Sequence, residues 1–439
     1  MARYQSTSPS EESRKKTPTK SKPKFSGRVH ILGSGNMGVF IAHALRTRDS
    51  PPPVSLLLHN WGMYEAFMQR KKRIAITYDG LDDIQKGFDI EVNTGPNNKS
   101  GKWYQMPPLY GQKYYEDGTK IAEEDMAEPE LTREPIDCLI VTCKSQFAFI
   151  GLRALFHRIT PDTTILFLQN GLGVVERVNE LLYNDRGWHP HYMQAVLSHR
   201  MDKKDAYAVK FLQTGAISLA PAATQAISKI PAEEDTNWPP TMKYLTRLFT
   251  LTPPLVATAS TTTDVLQSQL EKLAVRCVID PLTAINDCKN GELLHSYSST
   301  RIMRLLLFEI SSVITALPEL QGVPGIDDRF SANRLLRLVT QTLHRNSGNT
   351  SPMVHDVRLR KSTEVEFFNG YIVRRGQEVG ITCTMNYMIK HLVHSKKTIN
   401  RRAEDAQIPI DTGDDEGIYL TGKHEEVEND ELGIEDEYV

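Results

Sequence analysis

The sequence predicts an α/β protein, with a parallel β-sheet in its N-terminal part and a mainly helical domain after it. Short apolar runs alternate with helical patterns in the first part of the chain, and long helical patterns dominate from about residue 264. Strands that alternate with helices in this way form parallel sheets. The predicted strands are 28–32, 54–58, 138–142 and 164–168. The predicted helices of the second domain are 264–279, 299–317, 328–346 and 363–378.

Composition argues against several functional classes. A chain of 439 residues makes two or three domains at roughly 150 residues each. No apolar run approaches the roughly 18 residues that cross a bilayer, and the net charge of −2 provides no basic field for nucleic acid. The five cysteines are odd in number and form no CxxC pair. That count argues against a disulfide framework or a structural zinc site and fits a reducing compartment.

The two ends of the chain carry opposite charge. Residues 1–24 hold seven lysines and arginines against two glutamates, among many Ser, Thr and Pro residues, and residues 411–439 hold twelve acidic residues against one lysine. Neither segment has enough large apolar residues to form a core, so both are predicted to be disordered. The basic end also fits an organelle-targeting segment. We therefore expect an intracellular protein, mitochondrial or cytoplasmic, with mitochondria slightly favoured.

A glycine motif follows the first predicted strand and precedes a predicted helix. Its GxGxxG spacing suits a dinucleotide, because the first glycine permits a tight turn, the second admits a pyrophosphate, and the third allows helix and strand to pack closely. The alternative is a plain strand-to-helix turn. The sequence therefore predicts a Rossmann-type dinucleotide-binding domain. The candidate cofactor-binding residues of the motif are Gly33, Ser34, Gly35, Asn36, Met37 and Gly38.

The end of the second predicted strand bears on the choice of nicotinamide cofactor. An acidic residue there would bind the ribose of NAD, but this chain has His59 and Asn60. A basic cluster at 71–73 follows and would suit the 2′-phosphate of NADP, although a solvated helix face explains it equally well. The sequence thus favours NADPH/NADP.

A charged stripe lies on one predicted helix of the second domain. Lys272, Arg276 and Asp280 are spaced by four residues and share a helix face whose neighbours are apolar. Such charges must meet water, a partner or a ligand. The alternative is an ion pair between Arg276 and Asp280 with Lys272 solvated. A second polar cluster, at 355–366, would supply a carboxylate for a substrate hydroxyl, or would be ordinary charge at a helix start.

At these residues the chain resembles the ketopantoate reductases (2-dehydropantoate 2-reductases), as a divergent eukaryotic member. Four blocks in order carry the resemblance, and together they span roughly residues 28–395. The blocks are 28–38, 141–144 with 168–173, 272–275 continuing to 290–293, and 349–356 with 363–370. The resemblance implies a Rossmann domain, a helical domain and a substrate cleft between them. It also implies NADPH-dependent reduction of 2-dehydropantoate to pantoate, a step toward pantothenate and coenzyme A.

Site residues carry over position by position. The resemblance implies that Lys272 is the catalytic lysine, that Asn170 places substrate and nicotinamide, that Lys144 lies near the cofactor, and that Glu364 binds a substrate hydroxyl. Asparagines of the family stand where this chain has Arg276 and Asp280, a serine stands where it has Pro352, and a cofactor arginine stands where it has His59.

The two charged replacements leave alternatives open. Arg276 would lower the pKa of Lys272 or bind the substrate carboxylate, and Asp280 would neutralise Arg276 or repel that carboxylate. The implied substrate-binding set is Asn170, Arg276, Asp280 and Glu364, with Lys144 and Asn170 also at the cofactor. The implied partner is a small 2-oxo acid, and a homodimer fits the family. The alternatives are a reductase of a different 2-oxo acid, or a catalytically impaired protein that acts as a binding or regulatory factor.

The predicted domain organisation has five parts. They are a basic tail (1–27), the NADP-binding Rossmann domain (28–260), a long insertion within it near 79–135, the helical substrate domain (261–400) and an acidic tail (401–439).

Overall fold

The structure, a computed structural model, describes residues 25–93, 102–108, 110, 128–222 and 238–405. The predictions of two disordered, charged ends and of a targeting segment lie outside these residues. Within the described part of the chain, no helix is both long and apolar enough to cross a membrane.

The described residues form two β-sheets. A ten-stranded sheet has the order β14-β13-β10-β9-β8-β1-β2-β5-β6-β7, and a four-stranded sheet has the order β11-β12-β3-β4. The strands are β1 Val29–Leu32, β2 Val54–Leu58, β3 Ile74–Tyr78, β4 Leu81–Gln85, β5 Asp89–Asn93, β6 Trp103–Gln105, β7 Glu130–Leu131, β8 Cys138–Val141, β9 Thr164–Phe167, β10 His191–Leu197, β11 Arg200–Asp205, β12 Ala208–Gln213, β13 Ile217–Pro221 and β14 Ala257–Ala259.

Six parallel strands form the centre of the larger sheet. Their order, β5-β2-β1-β8-β9-β10, is the third, second, first, fourth, fifth and sixth along the chain, and each neighbouring pair is parallel. That is the strand order of the Rossmann fold. The predicted α/β class with a Rossmann-type N-terminal domain is confirmed, and all four predicted strands are present within one residue of their predicted ends.

The insertion predicted at 79–135 needs correction. Its residues 89–93 form β5, which pairs with β2 and belongs to the central parallel sheet. A buried strand of this kind is usually a run of apolar residues. Here Glu91 interrupts the run although it is 1% exposed, because Arg158 neutralises it inside the protein and His30 lies 3.2 Å from its carboxylate. A buried charge with partners far along the chain hid this strand from pattern analysis.

Helices surround the sheet and build the C-terminal part. They are α1 Asn36–Arg46, α2 Trp61–Gln69, α3 Ser145–Leu155, α4 Val174–Tyr183, α5 Pro240–Thr250, α6 Thr262–Asn286, α7 Tyr297–Ala316, α8 Ile326–Arg329, α9 Ala332–Arg345, α10 Pro352–Arg358, α11 Asn369–Glu378 and α12 Thr384–Asp405. The helix predicted over 328–346 is divided between α8 and α9, and the one predicted over 363–378 starts only at Asn369, after a 3₁₀ turn.

Helix α6 is the centre of the C-terminal core. Its 25 residues start behind a Thr261 side chain that accepts a hydrogen bond from the Asp264 backbone, which satisfies one free helix-end donor. Its apolar face is buried against α7, α9, α10 and α12. This packing leaves the charged stripe of α6 directed at the carboxyl ends of the sheet strands, where Lys272 hydrogen-bonds the Leu197 carbonyl at the end of β10.

Candidate active site

The glycine motif forms the turn from β1 into α1, beside β8. Gly33 has φ of +116°, which favours glycine, and a Cβ there would lie 2.5 Å from the Cys143 backbone nitrogen. A Cβ on Gly38 would lie 1.9 Å from the Gly33 carbonyl oxygen. These two glycines therefore hold the turn and the close helix packing that the motif requires.

The space next to Gly35 suits a phosphate group. A Cβ at Gly35 would meet no atom within 4 Å, and Gly35 is exposed at the start of α1. No side chain caps the first turn of α1, so the amides of Asn36, Met37 and Gly38 point toward this open space. Free amides and the helix dipole at a helix start bind anions such as a pyrophosphate. The residues present thus fit a dinucleotide.

The carboxyl ends of β1, β8, β9 and β10 meet at one edge of the sheet. This edge includes the point where the strand order reverses, between β1 and β8, which is where open α/β sheets bind ligands. Lys144 follows β8 and Asn170 follows β9, so both lie at this edge. Gly171 places the Asn170 segment close to the next cluster, since a Cβ on it would lie 2.6 Å from the Ser145 hydroxyl.

Three consecutive residues at the start of α3 bond to the C-terminal part. Lys144 forms an ion pair with Asp356 of α10. Ser145 donates to Glu364 Oε1 twice, from its backbone nitrogen at 3.0 Å and its hydroxyl at 2.8 Å. Gln146 Nε2 donates to the Ser362 carbonyl at 2.7 Å. These contacts hold the loop that carries Glu364 against the edge of the sheet.

Lys272 is half-buried in the same cleft. Its ammonium donates to the Leu197 carbonyl oxygen at 2.8 Å. Burial lowers the pKa of Lys272, the positive charge of Arg276 lowers it further, and Glu364 opposes them, so that the pKa falls to about 7. A lysine with such a pKa is partly protonated at neutral pH and can donate or accept a proton there.

Arg276 and Asp280 form the ion pair that their spacing allowed. Arg276 Nη1 lies 3.0 Å and 3.3 Å from the two carboxylate oxygens of Asp280. Asp280 is almost fully buried, whereas the Arg276 side chain is 27% exposed and keeps its Nη2 and Nε donors free of any described partner. Burial raises the pKa of Asp280, and the charge of Arg276 opposes that shift.

One predicted contribution is not brought to the site, and the serine that the family has at Pro352 is not replaced by the neighbouring hydroxyl. The basic cluster at 71–73 lies beyond the far end of α2, which at nine residues is about 14 Å long, while His59 and Asn60 lie at its start. Ser351, the hydroxyl next to Pro352, is buried and already bonded to Thr283 at 2.8 Å, and it also caps α10. The cluster at 71–73 is therefore not at the end of β2 where the 2′-phosphate was expected, and the Ser351 hydroxyl is already engaged in bonds within the protein.

Sequence reasoning missed Ser145 and the pairing partner of Lys144. Ser145 is 1% exposed and orients Glu364, and Asp356 is 6% exposed and holds Lys144. The partners of these two bonds lie 219 and 212 residues apart along the chain. The position of Ser145, in the short turn after β8 and at the start of α3, was the local signal that could have found it.

Within the described ranges, no group of three or more His, Cys, Asp or Glu side chains is placed to hold a metal ion.

Comparison with known proteins places these features in a family. A sequence profile described as ketopantoate reductase PanE/ApbA matches residues 98–224, and its C-terminal counterpart matches residues 264–397. The probable 2-dehydropantoate 2-reductase of Schizosaccharomyces pombe is 27% identical over 383 residues, which cover 85% of this chain and 97% of the relative. The 2-dehydropantoate 2-reductase of Saccharomyces cerevisiae is 26% identical over 410 residues, covering 85% and 95%.

Solved structures show the same fold. D-mandelate dehydrogenase with NADH and anilino(oxo)acetate has a TM-score of 0.58 at 18% identity, covering 85% of this chain and 99% of that one. A probable 2-dehydropantoate 2-reductase from Bacillus subtilis has a TM-score of 0.53 at 20% identity, covering 84% and 99%. The two profiles together match more than half of the chain, on the sheet and on the helical part that form the cleft. The chain belongs to the ketopantoate reductase family.

Proposed function

We propose that this protein reduces 2-dehydropantoate to pantoate with NADPH. The observation that carries the proposal is Lys272, a half-buried lysine with a pKa of about 7 at the strand edge that holds the glycine motif. The two fungal relatives named 2-dehydropantoate 2-reductase match 85% of this chain over nearly their own whole length, and the solved D-mandelate dehydrogenase neighbour holds NADH. A bound nicotinamide supplies a hydride to the carbonyl carbon of the substrate.

Lys272 is the proton donor of this proposal. As the carbonyl carbon is reduced, its oxygen becomes an alkoxide and takes a proton. A positioned ammonium stabilises that charge and then transfers the proton, which leaves a neutral lysine that water reprotonates. Because the pKa of Lys272 is near 7, both halves of this exchange are accessible at neutral pH.

Arg276 is the proposed ligand of the substrate carboxylate. It lies one helix turn from Lys272, a separation of about 6 Å between Cβ atoms, and in a 2-oxo acid the carboxylate is bonded directly to the carbonyl carbon. Asp280 engages one guanidinium nitrogen and leaves Nη2 and Nε for the carboxylate. A guanidinium suits this role because its donors match the two carboxylate oxygens.

Glu364 is the proposed ligand of the substrate hydroxyl, with Asn170 beside it. Ser145 occupies Oε1 of Glu364, and Oε2 accepts no hydrogen bond from any described residue. A carboxylate oxygen fixed in this way accepts from a hydroxyl without reorganising. Asn170 precedes Gly171, which packs against Ser145, and we expect its amide to orient substrate and nicotinamide.

The glycine motif and Lys144 are the proposed cofactor contacts. The amides at the start of α1 would hold the phosphates, and Lys144 would exchange its contact with Asp356 for one with the cofactor. The preference for NADPH rests on the end of β2, where His59 and Asn60 stand in place of the acid that binds the ribose of NAD.

The test is NADPH oxidation by the purified protein with 2-dehydropantoate and a panel of branched 2-oxo acids, beside dissociation constants for NADPH and NADH. We expect turnover with 2-dehydropantoate and tighter binding of NADPH. Turnover with a different 2-oxo acid, and none with 2-dehydropantoate, would show that the protein is a reductase of that other acid. Nucleotide binding without turnover on any acid would replace it by a binding or regulatory protein built on a reductase fold.

A homodimer is part of the same proposal. The ketopantoate reductase of Staphylococcus aureus, a fold neighbour with a TM-score of 0.55 at 16% identity, is described as dimeric. In this chain α7 carries Leu305 and Phe308, which are 52% and 67% exposed. Light scattering after size exclusion should give twice the monomer mass of 49.6 kDa.

The pH dependence of reduction follows from the lowered pKa of Lys272. Only the ammonium form donates a proton, so kcat/KM for the 2-oxo acid should fall as the pH rises above about 7, by about tenfold per pH unit. Oxidation of pantoate needs the neutral amine and should rise over the same range. Initial rates in both directions at saturating nucleotide measure this. A flat profile in both directions would remove Lys272 as the proton donor.

The roles of Arg276 and Asp280 separate in a double-mutant cycle. Arg276→Asn should raise KM for the 2-oxo acid by about 10- to 150-fold, the range expected for a charge-assisted hydrogen bond, and should lower stability because Asp280 stays buried without its partner. The double variant with Asp280→Asn should recover stability but not KM. Urea unfolding and steady-state kinetics measure both.

The matched control is Arg358→Asn, which removes an exposed pair with Asp287 and should change neither quantity. A double variant with the wild-type KM would show that Arg276 serves only to neutralise Asp280.

A further inference from the structure

Helix α6 contains a proline, and a side chain from outside the helix replaces the backbone hydrogen bond that the proline removes. The helix continues through Pro281 to Asn286. Proline has no backbone N–H, so the carbonyl of Cys277, four residues earlier, loses its helical donor. Cys277 is fully buried, and water cannot take the place of that donor.

The side chain of Asn369 supplies the missing hydrogen bond. Its Nδ2 donates to the Cys277 carbonyl oxygen at 3.0 Å and also to Asn386 Oδ1 at 3.0 Å, and both asparagines are 0% exposed. Asn386 Nδ2 in turn donates to Glu309 Oε2 at 2.7 Å. A carbonyl and a carboxylate only accept hydrogen bonds. The Cys277 carbonyl at one end of this series of hydrogen bonds and the Glu309 carboxylate at the other therefore fix the orientation of both amides.

This contact joins two parts of the proposed active site. Cys277 follows Arg276 and precedes Asp280 by three residues, and Asn369 lies five residues after Glu364, across a single 3₁₀ turn. The bond therefore sets the distance between the helix turn that carries the ion pair and the segment that carries the carboxylate.

We infer that Asn369 is a positioning residue for the 2-oxo acid, and that it acts by holding the proline-interrupted turn of α6 at a fixed distance from Glu364. The inference rests on the proposed function, because it concerns how that site is held. Asn369 touches neither substrate nor cofactor. It determines how Arg276, which binds the substrate carboxylate, and Glu364, which binds the substrate hydroxyl, face each other.

The experiment compares Asn369→Ala, Pro281→Ala and the double variant with the wild type. Asn369→Ala leaves the Cys277 carbonyl without a partner. We expect faster amide hydrogen exchange in peptides from the second half of α6, and a loss in kcat/KM for 2-dehydropantoate of up to about 10²-fold with KM raised. The dissociation constant of NADPH should stay at the wild-type value, because the glycine motif lies on the sheet.

The double variant identifies which bond matters. The Pro281→Ala change restores a helical N–H for the Cys277 carbonyl but does nothing for Asn386, so recovery of both hydrogen exchange and KM assigns the effect to the Cys277 contact. Pro281→Ala alone should retain the wild-type KM. A double variant that stays as impaired as Asn369→Ala would overturn the inference.

Loss of stability at an unchanged KM would likewise reduce Asn369 to a structural residue. A wild-type protein that turns over no 2-oxo acid overturns the proposed function and the positioning role with it. A wild-type protein with turnover, whose KM does not respond to Asn369→Ala, overturns the positioning role alone.

Discussion

Replacement of Lys272 by methionine should lower kcat/KM for 2-oxo acid reduction by about 10²- to 10⁴-fold, the range that a positioned proton donor contributes. Lys272 is the half-buried ammonium at the strand edge, and its pKa of about 7 shows that the protein already disfavours its charge. Methionine keeps the length and apolar character of the chain and removes only the amine. The loss should therefore appear in turnover and not in folding.

Two measurements separate this result from a general defect. The dissociation constant of NADPH should be unchanged, since the glycine motif between β1 and α1 does not involve Lys272. The urea midpoint should be unchanged or higher, because removing a buried cation relieves its desolvation. Lys210→Met, at an exposed position on β12, is the matched control and should behave as wild type. Full turnover by Lys272→Met would contradict the proposed mechanism.

Most of the fold could be predicted from the sequence, because the sequence patterns that indicate its strands and helices are local. Four of the six central parallel strands are apolar runs that the sequence predicts, and the Gly33–Gly38 spacing needs only its flanking strand and helix to be interpreted. Strands β5 and β10 were not predicted, and for β5 the reason is physical: Glu91 is stabilised by residues on other elements, which no periodicity along the chain records.

Only part of the candidate site could be predicted from the sequence. The spacing of Lys272, Arg276 and Asp280 placed them on one face, and the structure shows the Arg276–Asp280 pair that this spacing allows, with Lys272 bonded to a carbonyl of the sheet rather than solvated. The bond of Ser145 to Glu364 depends on how the helical part sits on the sheet. That relation is a property of tertiary packing, so the sequence could name Glu364 only by resemblance.

The largest expected loss of stability comes from Glu91. Replacement by glutamine should cost about 3–5 kcal/mol, the range measured when one partner of a buried ion pair is removed. Glu91 and Arg158 are each 1% exposed, and His30 lies 3.2 Å from the same carboxylate. Burial alone would raise the pKa of Glu91, but hydrogen bonds from His30 and Arg158 outweigh it and hold the pKa at about 2. The carboxylate is therefore charged and paired down to strongly acidic pH.

Urea unfolding of matched variants tests whether this loss of stability comes from leaving a buried charge unpaired. Arg70→Ala removes the exposed pair with Asp205 and should cost less than about 1 kcal/mol. The double variant Glu91→Leu with Arg158→Met should recover most of the loss, because it leaves no unpaired charge in the interior. A Glu91→Gln variant as stable as wild type would show that His30 and the Glu134 carbonyl, which accepts from Arg158 Nε at 2.8 Å, are enough to keep the guanidinium buried. In that case β5 would owe its place in the sheet to backbone pairing with β2 and not to the charge it carries.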